Sequence, residues 1–163
     1  MVVVLGIDPG TAHTGYGVVL ARGSRLAALD GGVLRTDSDE TLGRRLARIH
    51  ECVCELIDRH EPDAVAVEDL FFGQNARSAF AVGQARGVTL LAAGQAGVPC
   101  FSYTPQAVKQ AVCGNGQAEK GQIQRMVGAL LELPSPPQPD HAADALAVAI
   151  CHANGAALRA ALA

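Results

Sequence analysis

The sequence predicts a single α/β domain over residues 1–163, built on a five-stranded mixed sheet flanked by helices on both faces. Three observations carry this. Two continuous apolar runs, Val2-Val3-Val4-Leu5-Gly6-Ile7 and Ala64-Val65-Ala66-Val67, have the β-branched character of strands buried on both faces of a parallel sheet. Between them lie two further strand-like segments joined by a tight turn, the pattern of an antiparallel meander. Later segments of helical spacing enclose one more strand, and such an order folds into helices layered over a sheet. At 163 residues, with 49% hydrophobic and 18% charged side chains, the chain suits one globular domain with a real core.

Each element has its own signature. The first strand leads into Asp8, followed by Pro9-Gly10-Thr11. Tyr16–Ala21 and Arg25–Leu34 read as strands around the turn Arg22-Gly23-Ser24. Ser38 or Asp39 caps a helix running to about His60. Leu42, Leu46, Ile49, Val53, Leu56 and Ile57 share one face of it, and the arginines and glutamates occupy the rest as a solvated surface. Pro62 ends that helix, and the strand leading to Glu68 follows, expected beside and parallel to the first near the sheet centre. A helix over Ala76 to Ala96 contains Gly83, Gly87 and Gly94, each disfavoured by roughly 1 kcal/mol relative to Ala. Small residues at this spacing admit the close approach of another helix, from the same chain or from a second copy; the pattern alone favours internal packing. Val98–Tyr103 reads as the fifth strand. Thr104-Pro105 opens a short helix ended by Gly114, and Gln117 to Leu131 forms another. The connector from Pro134 to Pro139 is stiff, and the last helix runs from about Asp140 to the C-terminus.

Composition excludes several classes. No segment has the uninterrupted apolar length of a transmembrane helix. No basic region precedes the short N-terminal apolar run, so a secretory signal is not expected. The five cysteines, at 52, 54, 100, 113 and 151, are odd in number and lack the spacing of a zinc site, which fits reduced thiols in a cytoplasmic protein. The net charge of −3 argues against a nucleic-acid partner, but its distribution reverses that. Residues 1–70 carry 7 basic and 12 acidic side chains; residues 71–131 carry Arg77, Arg86, Lys109, Lys120 and Arg125 against Glu119 alone. The basic stretch thus follows directly after Glu68.

The chemistry is carried by acids at strand ends. Ligands in open α/β sheets bind beyond the carboxyl ends of the strands. Asp8 and Glu68 are delivered to that edge from neighbouring strands, where their like charges require a shared proton or a bound cation. Asp140-His141-Ala142-Ala143-Asp144 opens the last helix and supplies further ligands; His141 and Asp144, three apart, share one face. Carboxylate oxygens suit Mg²⁺ or Mn²⁺. Two such ions roughly 3.5–4 Å apart activate a water and stabilise a leaving oxygen in phosphodiester hydrolysis.

These residues resemble a known family. Gly6-Ile7-Asp8-Pro9-Gly10-Thr11, Thr14-Gly15-Tyr16-Gly17, Glu68-Asp69-Leu70-Phe71-Phe72, Asn75-Ala76, Gly83-Gln84-Ala85-Arg86-Gly87, Ala118-Glu119-Lys120 and His141-Ala142-Ala143-Asp144-Ala145-Leu146 together resemble RuvC, the bacterial Holliday-junction resolvases. The blocks span nearly the full length. The resemblance implies a ribonuclease H-like fold and a homodimer with two sites on a four-way junction. It also implies metal ligation by Asp8, Glu68, His141 and Asp144, and cooperation with the RuvA–RuvB branch-migration complex. It gives the glycine-bearing helix an interface role. It places an exposed aromatic at Phe71 to wedge against or stack on junction bases, and basic contacts at Lys109 and Lys120. Arg77 is favoured over Arg86 as a phosphate contact, and Phe72 is expected in the core.

His141 departs from the aspartate of many relatives. Asp140 is expected as the helix cap, with His141 as the ligand. An imidazole ligand favours softer ions, so Mn²⁺ should support activity at least as well as Mg²⁺, and activity should fall below about pH 6.5. Three rivals stand beside this reading. Actin- and Hsp70-like phosphate-binding folds share the first turn but need two lobes. The Phe71 block and the paired helix motifs favour RuvC over a YqgF-like nuclease, and a non-catalytic junction-binding module would not need four ligand-type side chains.

Overall fold

The computed structural model describes residues 1–69 and 75–162. β1 (Val2–Asp8), β2 (His13–Arg22) and β3 (Arg25–Arg35) form an antiparallel meander. Then follow α1 (Leu42–His60), β4 (Ala64–Glu68), α2 (Ala76–Ala96), β5 (Cys100–Tyr103), α3 (Pro105–Cys113), α4 (Lys120–Leu130) and α5 (Asp140–Leu162). The sheet order is β3-β2-β1-β4-β5, with β4 parallel to both β1 and β5. The strands carrying Asp8 and Glu68 are therefore neighbours at the centre, as expected.

Alternation along the strands divides the core into two layers. Leu5, Ile7, Val18, Val65 and Val67 pack with Ile49, Val53, Leu56 and Ile57 of α1 and Ala85, Ala92 and Ala93 of α2. Val4, Val19 and Ala66 face the other way, onto Val108 and Val112 of α3, Ile123 and Val127 of α4 and Leu146 to Ile150 of α5. Helices thus cover both faces. Gly6 sits opposite Ala66 and Ile7 opposite Val67, so Asp8 and Glu68, each two residues further on, both turn to the α5 side.

Helix α5 lies directly on the sheet, and Ala142, Ala143 and Ala145 to Ala149 are all buried. Two strand glycines permit this. A Cβ on Gly6 would lie 2.0 Å from the Ala145 carbonyl oxygen, and one on Gly15 would lie 2.0 Å from that of His141. Any side chain at either position would push the helix off the strands.

Several boundaries differ from expectation. β2 begins at His13, not Tyr16, because β1 and β2 pair as far as Asp8 opposite Gly15. Thr41, not Ser38 or Asp39, is the N-cap of α1, without a side-chain cap bond; Asp37 instead accepts the Asp39 N–H. β5 is shorter at its start, and α4 begins at Lys120 rather than Gln117. Among the described residues nothing lies within 4 Å of a Cβ built on Gly87 or Gly94, so these two glycines of α2 do not pack against them. All five cysteines are free, and no described helix is long and apolar enough to cross a membrane.

Candidate active site

β1, β4 and the first turn of α5 converge at one edge of the sheet. Asp8, His141 and Asp144 each offer a ligand atom within 4.8 Å of the others. His141 Nδ1 lies 3.0 Å from Asp8 Oδ2. Glu68 flanks this trio from the adjacent strand. It shares an open cavity of about 230 Å³ with Asp144, Lys109 and Lys120, floored by Pro105, Val108, Ile123 and Ala147. Lys120 Nζ lies 3.7 Å from Asp144 Oδ2 and 3.5 Å from Asp140 Oδ2.

The electrostatics match this crowding. Burial, then the neighbouring charges of Asp8 and Asp144, push Glu68 up from an ordinary 4.5 to about 8. Burial and Asp8 push Asp144 up from 3.8 to about 6, with Lys120 and His141 opposing. The hydrogen bond to Asp8 raises His141, against desolvation. Lys120 is opposed by desolvation but raised overall by Asp144 and Asp140. Carboxylates crowded in this way repel one another, and a bound cation would relieve that repulsion. Three carboxylates and one imidazole, mostly hard oxygen donors around a solvent-open pocket, fit a divalent cation.

The other expected site residues fall into place unevenly. Asp140 is not a cap with a side-chain bond; it lies inside the first turn of α5, its Oδ1 accepting from Gln124 Nε2 at 2.7 Å. Its carboxylate is thereby directed to α4, and His141 is the residue brought to Asp8. Lys109 and Lys120 line the acidic cavity. Arg77 is exposed in the first turn of α2 and is not among the residues lining that cavity. Arg86 is engaged with Ser102 Oγ at 2.6 Å and Asp69 at 3.5 Å. Phe71 and Phe72 lie outside the described residues.

One neighbour of the site escaped the sequence reading. The His13 ring stacks on His141, with centroids 5.3 Å apart and planes 6° from parallel. Starting the second strand at Tyr16 left His13 in a loop. Continuing the hairpin register back to the turn would have placed it at the same sheet edge as Asp8.

Comparison with known proteins agrees with this geometry. The family model for "Crossover junction endodeoxyribonuclease RuvC" matches residues 4–152. A protein of that name from Moorella thermoacetica is 56% identical over 156 residues, covering 96% of this chain and 93% of its own. One from Rubrobacter xylanophilus is 57% identical over 151 residues, covering 93% and 84%. The solved structure of T. thermophilus RuvC in complex with Holliday junction substrate superposes with a TM-score of 0.93 at 44% identity, covering 98% of this chain and 97% of that one.

Proposed function

The chain belongs to the RuvC family of crossover junction endodeoxyribonucleases, and we propose that Asp8, Glu68, His141 and Asp144 form the centre at which it hydrolyses DNA. It is a metal-dependent endodeoxyribonuclease with a ribonuclease H-like fold that resolves Holliday junctions in DNA recombination and repair. The observation that carries the site assignment is the gathering of Asp8, His141 and Asp144 within 4.8 Å, beside Glu68 and under two lysines.

Each residue contributes a distinct function. Asp8, from the central strand, faces both Glu68 and the α5 pair and would hold a divalent cation together with them. Glu68 and Asp144 complete the two sides, and His141 is held in register by its bond to Asp8. Two divalent cations, Mg²⁺ or Mn²⁺, supply charge for the attacking water and the leaving oxygen when bound. Lys109 and Lys120 draw the phosphate backbone to an otherwise acidic edge. Phe71 stacks on junction bases and Arg77 contacts the backbone beyond the cavity.

The substrate's two-fold symmetry calls for two copies of the site. On α2, Phe80 (70% exposed), Gly87, Leu91 (54% exposed) and Gly94 share one helix face opposite the buried Ala85, Thr89 and Ala92. This outward apolar face supports a homodimer. Family resemblance adds the RuvA–RuvB complex as partner and the cytoplasm as location.

The deciding experiment is cleavage of a synthetic mobile four-way junction, with linear duplex as control, in Mg²⁺ and in Mn²⁺. Paired symmetric nicks on the junction only, abolished by Asp8→Asn while junction binding persists, support the whole reading. Binding without cutting in either metal would reduce the protein to a recognition module.

A further inference from the structure

We propose that His13 is a positioning residue of this centre: its ring stacks on His141 and fixes the plane in which that imidazole meets the Asp8 carboxylate. The inference rests on the reading of His141 as a ligand.

The backbone around His13 is held firmly. It opens β2 opposite Arg35 of β3. On its N-terminal side, the turn from Asp8 is tied down by three hydrogen bonds. The Thr14 hydroxyl donates to the Gly10 carbonyl at 2.6 Å. The Thr36 N–H donates to the Ala12 carbonyl at 3.1 Å. The Thr36 hydroxyl donates to the Thr11 carbonyl and accepts from Arg45 Nε of α1. Two residues past His13, Gly15 brings the strand against the His141 backbone. The backbone on both sides of His13 is thus fixed relative to α5, and the ring contact follows from that frame.

His141 needs such a partner. It stands in the first turn of a helix with 41% of its side chain exposed, and rotation about the imidazole χ2 is broad. The bond to Asp8 restrains one ring nitrogen but leaves the ring free to tilt about that contact. A second flat ring, 6° from parallel, removes the tilt. His13 does not join the ligand atoms that gather within 4.8 Å, so it acts through His141. Partners one step removed from a metal ligand set its orientation, and losing one typically weakens metal affinity about 10–100-fold.

The test is Mn²⁺ titration of the full-length protein by calorimetry, alongside junction binding in EDTA. His13→Ala and His13→Leu should each weaken Mn²⁺ binding about 10-fold. His13→Phe, which keeps a flat ring and no nitrogen, should stay within about 2-fold of wild type, and none of the three should change junction affinity in EDTA. Unchanged Mn²⁺ affinity in His13→Ala overturns the inference. So does a His13→Phe protein as weak as His13→Ala, since the nitrogen and not the stacking would then matter. His141→Ala separates the premise: if it leaves Mn²⁺ binding intact, the ligand reading itself falls. If it weakens binding while the His13 variants do not, only the stacking inference falls. Should His13→Ala fail to fold, the comparison of His13→Leu with His13→Phe decides alone.

Discussion

His141 Nδ1 lies 3.0 Å from Asp8 Oδ2, although 133 residues separate them in the chain. The contact exists because α5 packs directly against the backbone of β1 and β2. Gly6 and Gly15 leave room there for the carbonyls of Ala145 and His141. The acids of a strand and of a distant helix are therefore brought together by two missing side chains.

Gly15→Ala should for this reason act on both stability and site. An added methyl would collide with backbone, which cannot swing aside as a side chain does. The expected loss is about 3 kcal/mol, or roughly 6–12 °C in Tm, together with weaker Mn²⁺ binding in the protein that remains folded. Gly87→Ala is the control. Its methyl meets open space and replaces a helical glycine, so the monomer fold should hold or gain slightly. Equal melting of Gly15→Ala and wild type would refute the close-approach account.

Asp8→Asn keeps the volume and the hydrogen-bonding shape but removes the charge facing Glu68, His141 and Asp144. Cleavage should fall by about 10³-fold or more, in line with several kcal/mol of metal-derived stabilisation. Junction affinity in EDTA should hold or rise, because one repulsive carboxylate is gone. A gel-shift titration beside single-turnover cleavage reads both quantities. A variant that cuts within a factor of ten of wild type would remove Asp8 from the centre.

The metal-free protein should lose stability as pH rises. Glu68 is raised from 4.5 to about 8 in the fold. Its contribution is therefore fully present below pH 4.5 and is lost progressively as pH climbs to about 8. Asp144, raised to about 6, adds to the same slope at lower pH. The combined loss is on the order of several kcal/mol. Thermal melts in EDTA from pH 5 to 8.5 should show a falling Tm, flattened in Glu68→Gln and reversed by millimolar Mn²⁺. A Tm independent of pH in EDTA would contradict the crowding of charges at this edge.

Much of this arrangement was legible in the sequence. Continuous β-branched runs ending in Asp8 and Glu68 sufficed to place two acids side by side, because parallel neighbours bring equivalent strand ends to one edge. The spacing of His141 and Asp144 put both on one helix face. What remained hidden depends on register and approach. The hairpin pairing that extends β2 back to His13 is set by backbone bonds, not by an apolar pattern. Gly6 and Gly15 read only as motif letters until the helix they admit is seen. The glycines of α2 stay ambiguous in the sequence: small residues at helical spacing allow a close approach, and nothing in the pattern says whether an approaching helix is in the same chain.

Histidine at position 141 sets an acid limit on activity, and Asp8 moves it. The unperturbed imidazole would lose its lone pair to a proton near pH 6.5. The hydrogen bond to Asp8 raises His141 above that value, so protons compete with the metal at higher pH. With limiting Mn²⁺, the rate of junction cleavage should begin to fall above pH 6.5 as the solution is acidified, and saturating Mn²⁺ should push the limb back down. A rate that stays flat from pH 8 to 5.5 at limiting metal would argue that His141 does not bind it.

The outward face of α2 should hold two copies together. Phe80 and Leu91 leave large apolar side chains in water on the same stripe as the open Gly87 and Gly94. Small and large apolar residues on one stripe allow a second helix to approach closely and cover them. Leu91→Asp places a charge at the centre of that stripe without touching the core, since α2 buries Ala85, Thr89, Ala92 and Ala93 on its other side. Sedimentation velocity should give twice the mass of one chain for wild type at micromolar concentration and a single-chain mass for Leu91→Asp, with unchanged circular dichroism. Paired nicking of the junction should disappear with the dimer, because a monomer brings one acidic centre where the symmetric substrate offers two scissile positions. A wild type that sediments as one chain at tens of micromolar would break the link between this face and the two-fold reaction.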